Sequence, residues 1–338
     1  MKPINRQSGV ALITALFIFA LVTIAAVAMA DRQTLDIRRT ENMLHSDQAY
    51  MYALAAEITA KQALIADDNK DVDHEKEPWA LPLAEEIEGG TIAGFIRDAT
   101  ARFPINNLVN ANGEKQEVYV MAFQRFVDYV TSGNKCGEQG GFNPDLANVV
   151  LDWLDKDEQV NAGGAEDAEY LRLERPYRAA NQSMASISEL RPMSKIIAEE
   201  YNCFVGDGQR PPLVNAINAH DVAINVNTAP PEILQSIHPK IDDKILQLLI
   251  EGRGEEGYKD ITSFVTTMKK EITFDPAENN KEAREFDEAI NKIKLSVGSQ
   301  YFEVTATAQI GRMQLTLMSL LKRDGNKVAT VQRSIGVN

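Results

Sequence analysis

The sequence predicts an α+β protein: a long N-terminal helix packed on a small antiparallel sheet, with a large helical insertion between the strands. Three observations predict it. From Val10 to Ile65 there is neither glycine nor proline, so nothing interrupts a helix. Strand text bounded by turn residues occurs at "GGTIAGFIRDA" (89–99) and again at "YFEVTATAQI" and "MQLTLMSLL" near the end. The text between these ends is mainly helical.

The first element begins behind Lys2 and Arg6. Val10–Ala30 carries no charge. At ~1.5 Å per residue it makes a helix of roughly 31 Å, close to the ~30 Å hydrocarbon core of a bilayer. The basic flank then stays in the cytoplasm and the rest of the chain is exported. A competing reading uses the same letters: "AMA" at Ala28–Ala30 has the form of a signal-peptide cleavage site. Two features oppose it. The apolar run exceeds the ~7–15 residues of a signal-peptide core. The helical pattern also continues beyond Asp31, with Met51, Leu54, Ile58 and Ile65 along one face. An uninterrupted helix over this range would be roughly 84 Å long, apolar all round at first and amphipathic at its end.

Next, "DDNKDVDHEKEP" (67–78) reads as a solvated linker, and Phe103-Pro104 closes the first strand region. In the middle of the chain, Asn227 or Thr228 can cap a helix that opens at Pro230-Pro231. Near the C-terminus, Gly311-Arg312 reads as a two-residue hairpin with glycine at its first turn position. Met313, Leu315 and Leu317 alternate with Gln314 and Thr316, which buries one face. Asp324–Asn326 then turns into a last strand through Val328 and Val331.

Composition excludes several function classes. The chain has 338 residues, an apolar fraction of 44%, and 35 Lys+Arg against 49 Asp+Glu, for a net charge of −14. That balance argues against a nucleic-acid binder, whose affinity comes from neutralising phosphates. His45, His74, His220 and His238 are scattered, and no phosphate loop, nucleophile elbow or dinucleotide fingerprint follows a strand. The reading is therefore not an enzyme. Cys136 and Cys203 are the two cysteines. In a cytosolic protein two free thiols would be unremarkable, but beyond a membrane-crossing segment the pair reads as a disulfide. Closing so long a loop is worth about 4 kcal/mol in the chain-entropy account.

Between Glu138 and Arg175 acids crowd the chain, opposed by Lys156, Arg172 and Arg175 alone. Asp155/Asp157 and Glu166/Asp167, set around Gly163-Gly164, supply hard oxygen donors of the kind calcium takes. The Cys and His sets that zinc prefers are missing. Counted as an EF-hand from Asp155, ligand positions fall on Asp157, Gln159, Asn161 and Glu166, but the obligatory turn glycine is Val160, so this is not an EF-hand. Acidic runs of this kind also occur as plain solvated loops, and spacing leaves both readings standing.

A short basic leader ending in Gly9, followed by an apolar helix that runs into a soluble body, resembles type IV pilins and pseudopilins. The resemblance implies that a prepilin peptidase cuts between Gly9 and Val10 and methylates the new N-terminus. Two positions depart from the common pattern: Val10 stands where phenylalanine is usual, and the fifth mature residue, Thr14, where glutamate is. A carboxylate inside a bilayer is costly unless paired. In that family it pairs with the amine of the previously added subunit, so a subunit with nothing above it loses nothing by lacking it. "RFPINNLVN" (102–110), the acidic stretch 151–190 and "INVNTAPPEIL" (224–234) resemble the minor pseudopilin K family of type II secretion.

That resemblance implies an inner-membrane protein with a cytoplasmic N-terminus and a periplasmic body, seated at the tip of the pseudopilus. Its expected partners are minor pseudopilins I and J, the major pseudopilin, the prepilin peptidase and the inner-membrane assembly platform. With them it would initiate assembly of a filament that exports folded proteins across the outer membrane. It also implies calcium in the acidic region, for which Asp152, Asp155, Asp157, Glu166 and Asp167 are the candidate ligands. The expected organisation is a leader at 1–9, the helix at 10–66 (membrane-spanning over 10–30), and a pilin-like sheet from 67–110 and 295–338. A helical insertion with the calcium loop occupies 111–212, and a helix-hairpin-helix-like subdomain 213–294. The last resembles DNA-binding modules, but its hairpin Ile237–Asp242 has no glycine to seat a phosphate, which leaves a structural or docking role. The alternative to the whole reading is a signal-anchored periplasmic calcium-binding enzyme or adhesin.

Overall fold

The computed structural model describes residues 8–131, 143–206, 210–272 and 279–336. Its first element, α1 (Ser8–Ala66), is a single helix of 59 residues. The segment from Val10 is long and apolar enough to cross a membrane, with a mean hydropathy of 2.8 in its most apolar window. None of that window is buried against the rest of the chain. Only the last third of α1 packs. Ala49, Ala53, Ala60 and Leu64 are buried there, and the small alanines let the helix lie close on a sheet.

That sheet is built from β1 (Leu83–Ile87) and β2 (Gly90–Asp98), which pair with strands from the far end of the chain. Two short parallel pairings stitch the insertion to this frame. β3 (Phe103–Pro104) pairs with β4 (Val214–Asn215), and β5 (Ile224–Asn225) with β6 (Leu295–Ser296). Between them run α2 (Glu117–Thr131), α3 (Leu146–Leu154), α4 (Asp167–Tyr170), α5 (Ala198–Val205), α6 (Pro231–Ser236), α7 (Asp243–Glu251), α8 (Ile261–Glu271) and α9 (Asn279–Lys292). The sheet is then completed by β7 (Tyr301–Ile310), β8 (Met313–Asp324) and β9 (Lys327–Gly336), in the antiparallel order β1-β2-β7-β8-β9. Gly311 opens the β7–β8 turn at φ +56°, a value most side chains resist, and so fixes the register.

Alternation decides which face is covered. Phe302, Val304, Ala306, Ala308 and Ile310 of β7 are buried toward α1, joined by Leu315, Leu317 and Leu321 of β8. One carboxylate on the helix side of this layer, Glu57, is 1% exposed. It accepts hydrogen bonds from Ser319 Oγ (2.6 Å), Thr330 Oγ1 (2.6 Å), and Arg333 Nε and Nη2 (2.7 and 2.9 Å), and pairs with Lys61 at 2.8 Å. Burial alone would raise its carboxyl, but Arg333, Lys61 and the two hydroxyls outweigh that and hold it well below the usual carboxylate range.

Two sequence expectations need correcting. The stretch 67–78 is not a solvated linker, because Val72, Asp73 and Glu77 are buried. Arg323 of β8 donates Nη1 to Asp67 (2.8 Å) and Nη2 to Asp73, which draws the chain down onto the sheet. Nor do Asn227 and Thr228 cap α6, which starts behind Pro230. Thr228 donates to Asp98, as do Asn225 and Ser299, while Asn227 donates to Tyr258 O and Val297 O. These side chains are spent on a buried polar junction between sheet and insertion, a demand that outranks a local cap.

The insertion has its own core. Phe103 and Phe204 each place their rings within 6.1 Å of both Phe123 and Phe126, and α2 lies across α3 and α6. Around the α6–α7 hairpin, Arg125 donates to Ser236 O and Ile237 O. Asp242 caps α7 by accepting from Ile245 N. The chain's own arginine therefore occupies the hairpin carbonyls, and burial, helped by Arg125 and Lys240, holds the His238 ring neutral, near pKa about 4.

Candidate metal centre and helix face

The acidic loop leaves one helix and returns to another, and this brings its ends together. α3 stops at Asp155, whose backbone turns extended, while Glu166 stands at the start of α4. As a result Asp155, Asp157 and Glu166 place carboxylate oxygens within 4.8 Å of one another. Asp155 and Glu166 are buried, at 4% and 2% exposure, and Asp157 is exposed. Asp155 Oδ1 and both oxygens of Glu166 have no hydrogen-bond partner among the described residues. Such atoms are rare in a folded protein unless an ion or water completes them.

The electrostatics agree. Burial, then repulsion from Asp157 and Asp152, pushes the Asp155 carboxyl up to about 7. Burial, then repulsion from Asp152, Asp155, Asp157 and Asp167, pushes Glu166 up to about 8. Asp152 is fully buried and is raised mainly by burial, but it is already engaged, accepting from Asn161 N (3.2 Å) and Nδ2 (2.6 Å). It lies behind the triad and orients the returning loop. Asp167 is turned away: its carboxylate accepts from Arg178 Nη1 (2.6 Å) and Ala179 N (2.9 Å). The donor set is thus all oxygen and partly buried, and its carboxyls resist ionising until a cation neutralises them, which fits a hard divalent cation.

The parts that several neighbours play were not legible in the sequence. Lys195 donates its ammonium to Gly163 O (2.9 Å) and Gly164 O (2.6 Å), bracing the loop from outside. Gly164 is required by close approach, since a Cβ there would lie 2.0 Å from Asp152 Oδ2. Trp153, Tyr170 and Tyr177 form an aromatic wall beside the acids, with the Trp153 and Tyr170 rings 5.3 Å apart. Nothing in spacing signals these roles, because each is made by folding distant stretches together.

The second feature is on α1. Ile37, Leu44, Met51 and Ile58 recur at every seventh residue and each is more than half exposed. They lie on the side away from the sheet, whereas Leu54, expected on the same stripe, packs toward the sheet layer. A seven-residue apolar repeat is the pattern by which helices wind around one another. Farther back, Thr14 Oγ1 donates to Val10 O (2.7 Å) and Ala11 O (3.1 Å), so its hydroxyl is satisfied within the helix itself. Gly9 is helical. Cys203 is buried in α5 and disulfide-bonded, while Cys136 lies outside the described residues.

Comparison with known proteins gives a consistent set of likenesses. Two family models described as type II secretion system (T2SS), protein K match residues 101–203 and 224–278. The type II secretion system protein K of Pseudomonas aeruginosa is 33% identical over 98% of this chain and 93% of its own length. That of Aeromonas hydrophila is 29% identical over 99% of both chains. Among solved structures, one chain of the GspK-GspI-GspJ complex from the enterotoxigenic Escherichia coli type 2 secretion system superposes with a TM-score of 0.71. It is 26% identical and covers 88% of this chain and 99% of its own.

Proposed function

The chain belongs to the type II secretion system protein K family, and on that premise we propose that it caps the pseudopilus as the subunit at its tip. It is a minor pseudopilin and a structural component of the machinery, not an enzyme. The observation that carries the tip reading is the likeness to one chain of the GspK-GspI-GspJ complex, over 99% of that chain's length. By the same likeness this chain joins minor pseudopilins I and J, and the three start the filament that moves folded proteins across the outer membrane. The bare stripe Ile37, Leu44, Met51 and Ile58 is the face on which their helices would lie.

The finer steps follow from the helix. The apolar segment anchors the chain in the inner membrane with its body in the periplasm. Cleavage after Gly9 leaves Val10 as a methylated first residue. Thr14, whose hydroxyl bonds back to its own helix, demands no partner amine from a subunit above. Cys136 closes on Cys203. The triad Asp155, Asp157 and Glu166 holds calcium, which supplies the positive charge that these buried oxygens lack. This chain's residues do the remaining work: Asp152 and Asn161 fix the loop, and Lys195 braces its carbonyls.

The test is assembly. The full chain in detergent, mixed with minor pseudopilins I and J, should elute as one ternary complex by size exclusion with light scattering. Mass spectrometry of the mature subunit should find methylated Val10 as its first residue. Three species that elute separately would refute the tip reading.

A further inference from the structure

Calcium takes about six to eight oxygens, and the acid triad alone falls short of that. One oxygen from Asp155, one from Asp157 and both from Glu166 make four in all. Asp157 Oδ1 is moreover engaged, accepting from Gln159 N at 2.8 Å. A further acceptor lies beside these acids. Asn181, on the segment returning from α4, donates its Nδ2 to the backbone oxygen of Asp157 at 3.3 Å. With its donor end on that carbonyl, the amide's other end, Oδ1, is buried without a hydrogen-bond partner among the described residues. Asp155 Oδ1 and both oxygens of Glu166 are left bare in the same way. Buried acceptors without donors, gathered beside one loop, call for a positive centre to complete them.

Two local devices bring this amide to the loop. Asp167, itself turned from the triad, accepts from Arg178 Nη1 and Ala179 N, which draws the segment just before Asn181 back to the start of α4. Asn181 then adopts φ +45°, a left-handed backbone that asparagine tolerates better than most side-chain-bearing residues. We propose that the Asn181 amide oxygen is a further ligand of the calcium held by Asp155, Asp157 and Glu166. The inference rests on the calcium reading of that triad. A neutral oxygen raises the coordination number without adding another negative charge to acids that already repel one another. Asn181 lies beyond Glu166, where an EF-hand count from Asp155 ends, so spacing does not reveal it.

The test loads the full chain in detergent with europium(III) in place of calcium and compares it with Asn181→Gly and Asn181→Asp. Glycine accepts the positive φ, so the first variant removes the amide without straining the backbone. Luminescence lifetimes in light and heavy water count the waters on the ion, and calorimetry gives the calcium Kd. Asn181→Gly should carry about one more metal-bound water than the parent, with its calcium Kd raised at least tenfold. Asn181→Asp, which restores an oxygen, should return the parental water count. Asn181→Ala, which also lacks the oxygen, repeats the reading should the glycine variant fold poorly. An unchanged water count in the variants without the oxygen overturns the proposal even where Kd rises, because an amide that only braces Asp157 weakens binding without opening a place on the ion. A parent that binds neither europium nor calcium overturns the calcium reading and the ligand with it, whereas a parent that binds, with an unchanged count in the variants, removes Asn181 alone.

Discussion

Replacing Glu57 by glutamine should loosen the long helix from its sheet at the point where the two are most firmly joined. The native carboxylate takes hydrogen bonds from Ser319, Thr330 and Arg333 and an ion pair from Lys61, all at 2.6–2.9 Å. Breaking a buried pair outright costs about 3–5 kcal/mol. Glutamine keeps the volume and one acceptor, and Arg333, 45% exposed, regains water, so the loss should be nearer 2 kcal/mol. The assay is hydrogen exchange of the full chain in detergent, read at backbone amides of α1 near Ala53 and Ala60 and along β9. A loss of 2 kcal/mol speeds exchange from local opening by about 30-fold. The pH dependence carries a sign. Because the folded carboxyl lies below its unfolded value, its stabilisation is present above that value and fades as pH falls through the acid range. The variant should lack this acid sensitivity. Protection within about twofold of the parent at neutral pH would refute the reasoning.

Calcium should bind more tightly as pH rises, because protons must leave Asp155 and Glu166, whose carboxyls sit at about 7 and about 8. Titration calorimetry across that range should find proton release on binding, and at calcium one hundred times Kd the fold should gain about 2.7 kcal/mol. Trp153 lies against Tyr170 beside the triad, so its fluorescence should respond to calcium, and the Trp153→Phe variant, which keeps Trp79, should lose the response. Gly164→Ala drives a methyl onto the Asp152 carboxylate, which should destabilise the insertion by about 1–3 kcal/mol and weaken calcium binding; an unchanged melting curve and calcium isotherm would refute it.

The fold was legible where one rule acted alone. The unbroken α1 follows from the absence of glycine and proline, and the β7–β8 hairpin from alternation around Gly311. The body around 67–78 was misread because Asp73 looks solvated in sequence and is instead held by Arg323, some 250 residues away in the chain. The same blindness to distant partners hid Lys195. At the candidate site, Asp155, Asp157 and Glu166 were visible as oxygen donors at close spacing, whereas Asp167 was indistinguishable from them until its pairing with Arg178 was seen. The seven-residue stripe was only half found, since Leu54 fits the helical period but falls on the side that packs.

An unbroken helix of 59 residues has a mechanical consequence. Kinks arise at proline, at glycine or serine pairs, or at bulges, and α1 has no proline and, past Gly9, no glycine. The rod is gripped by the sheet only along its last third, through the alanines and Glu57. A thrust or twist applied at the apolar end therefore reaches the globular head without being absorbed at a joint. Whatever lifts the foot of this subunit also lifts its crown.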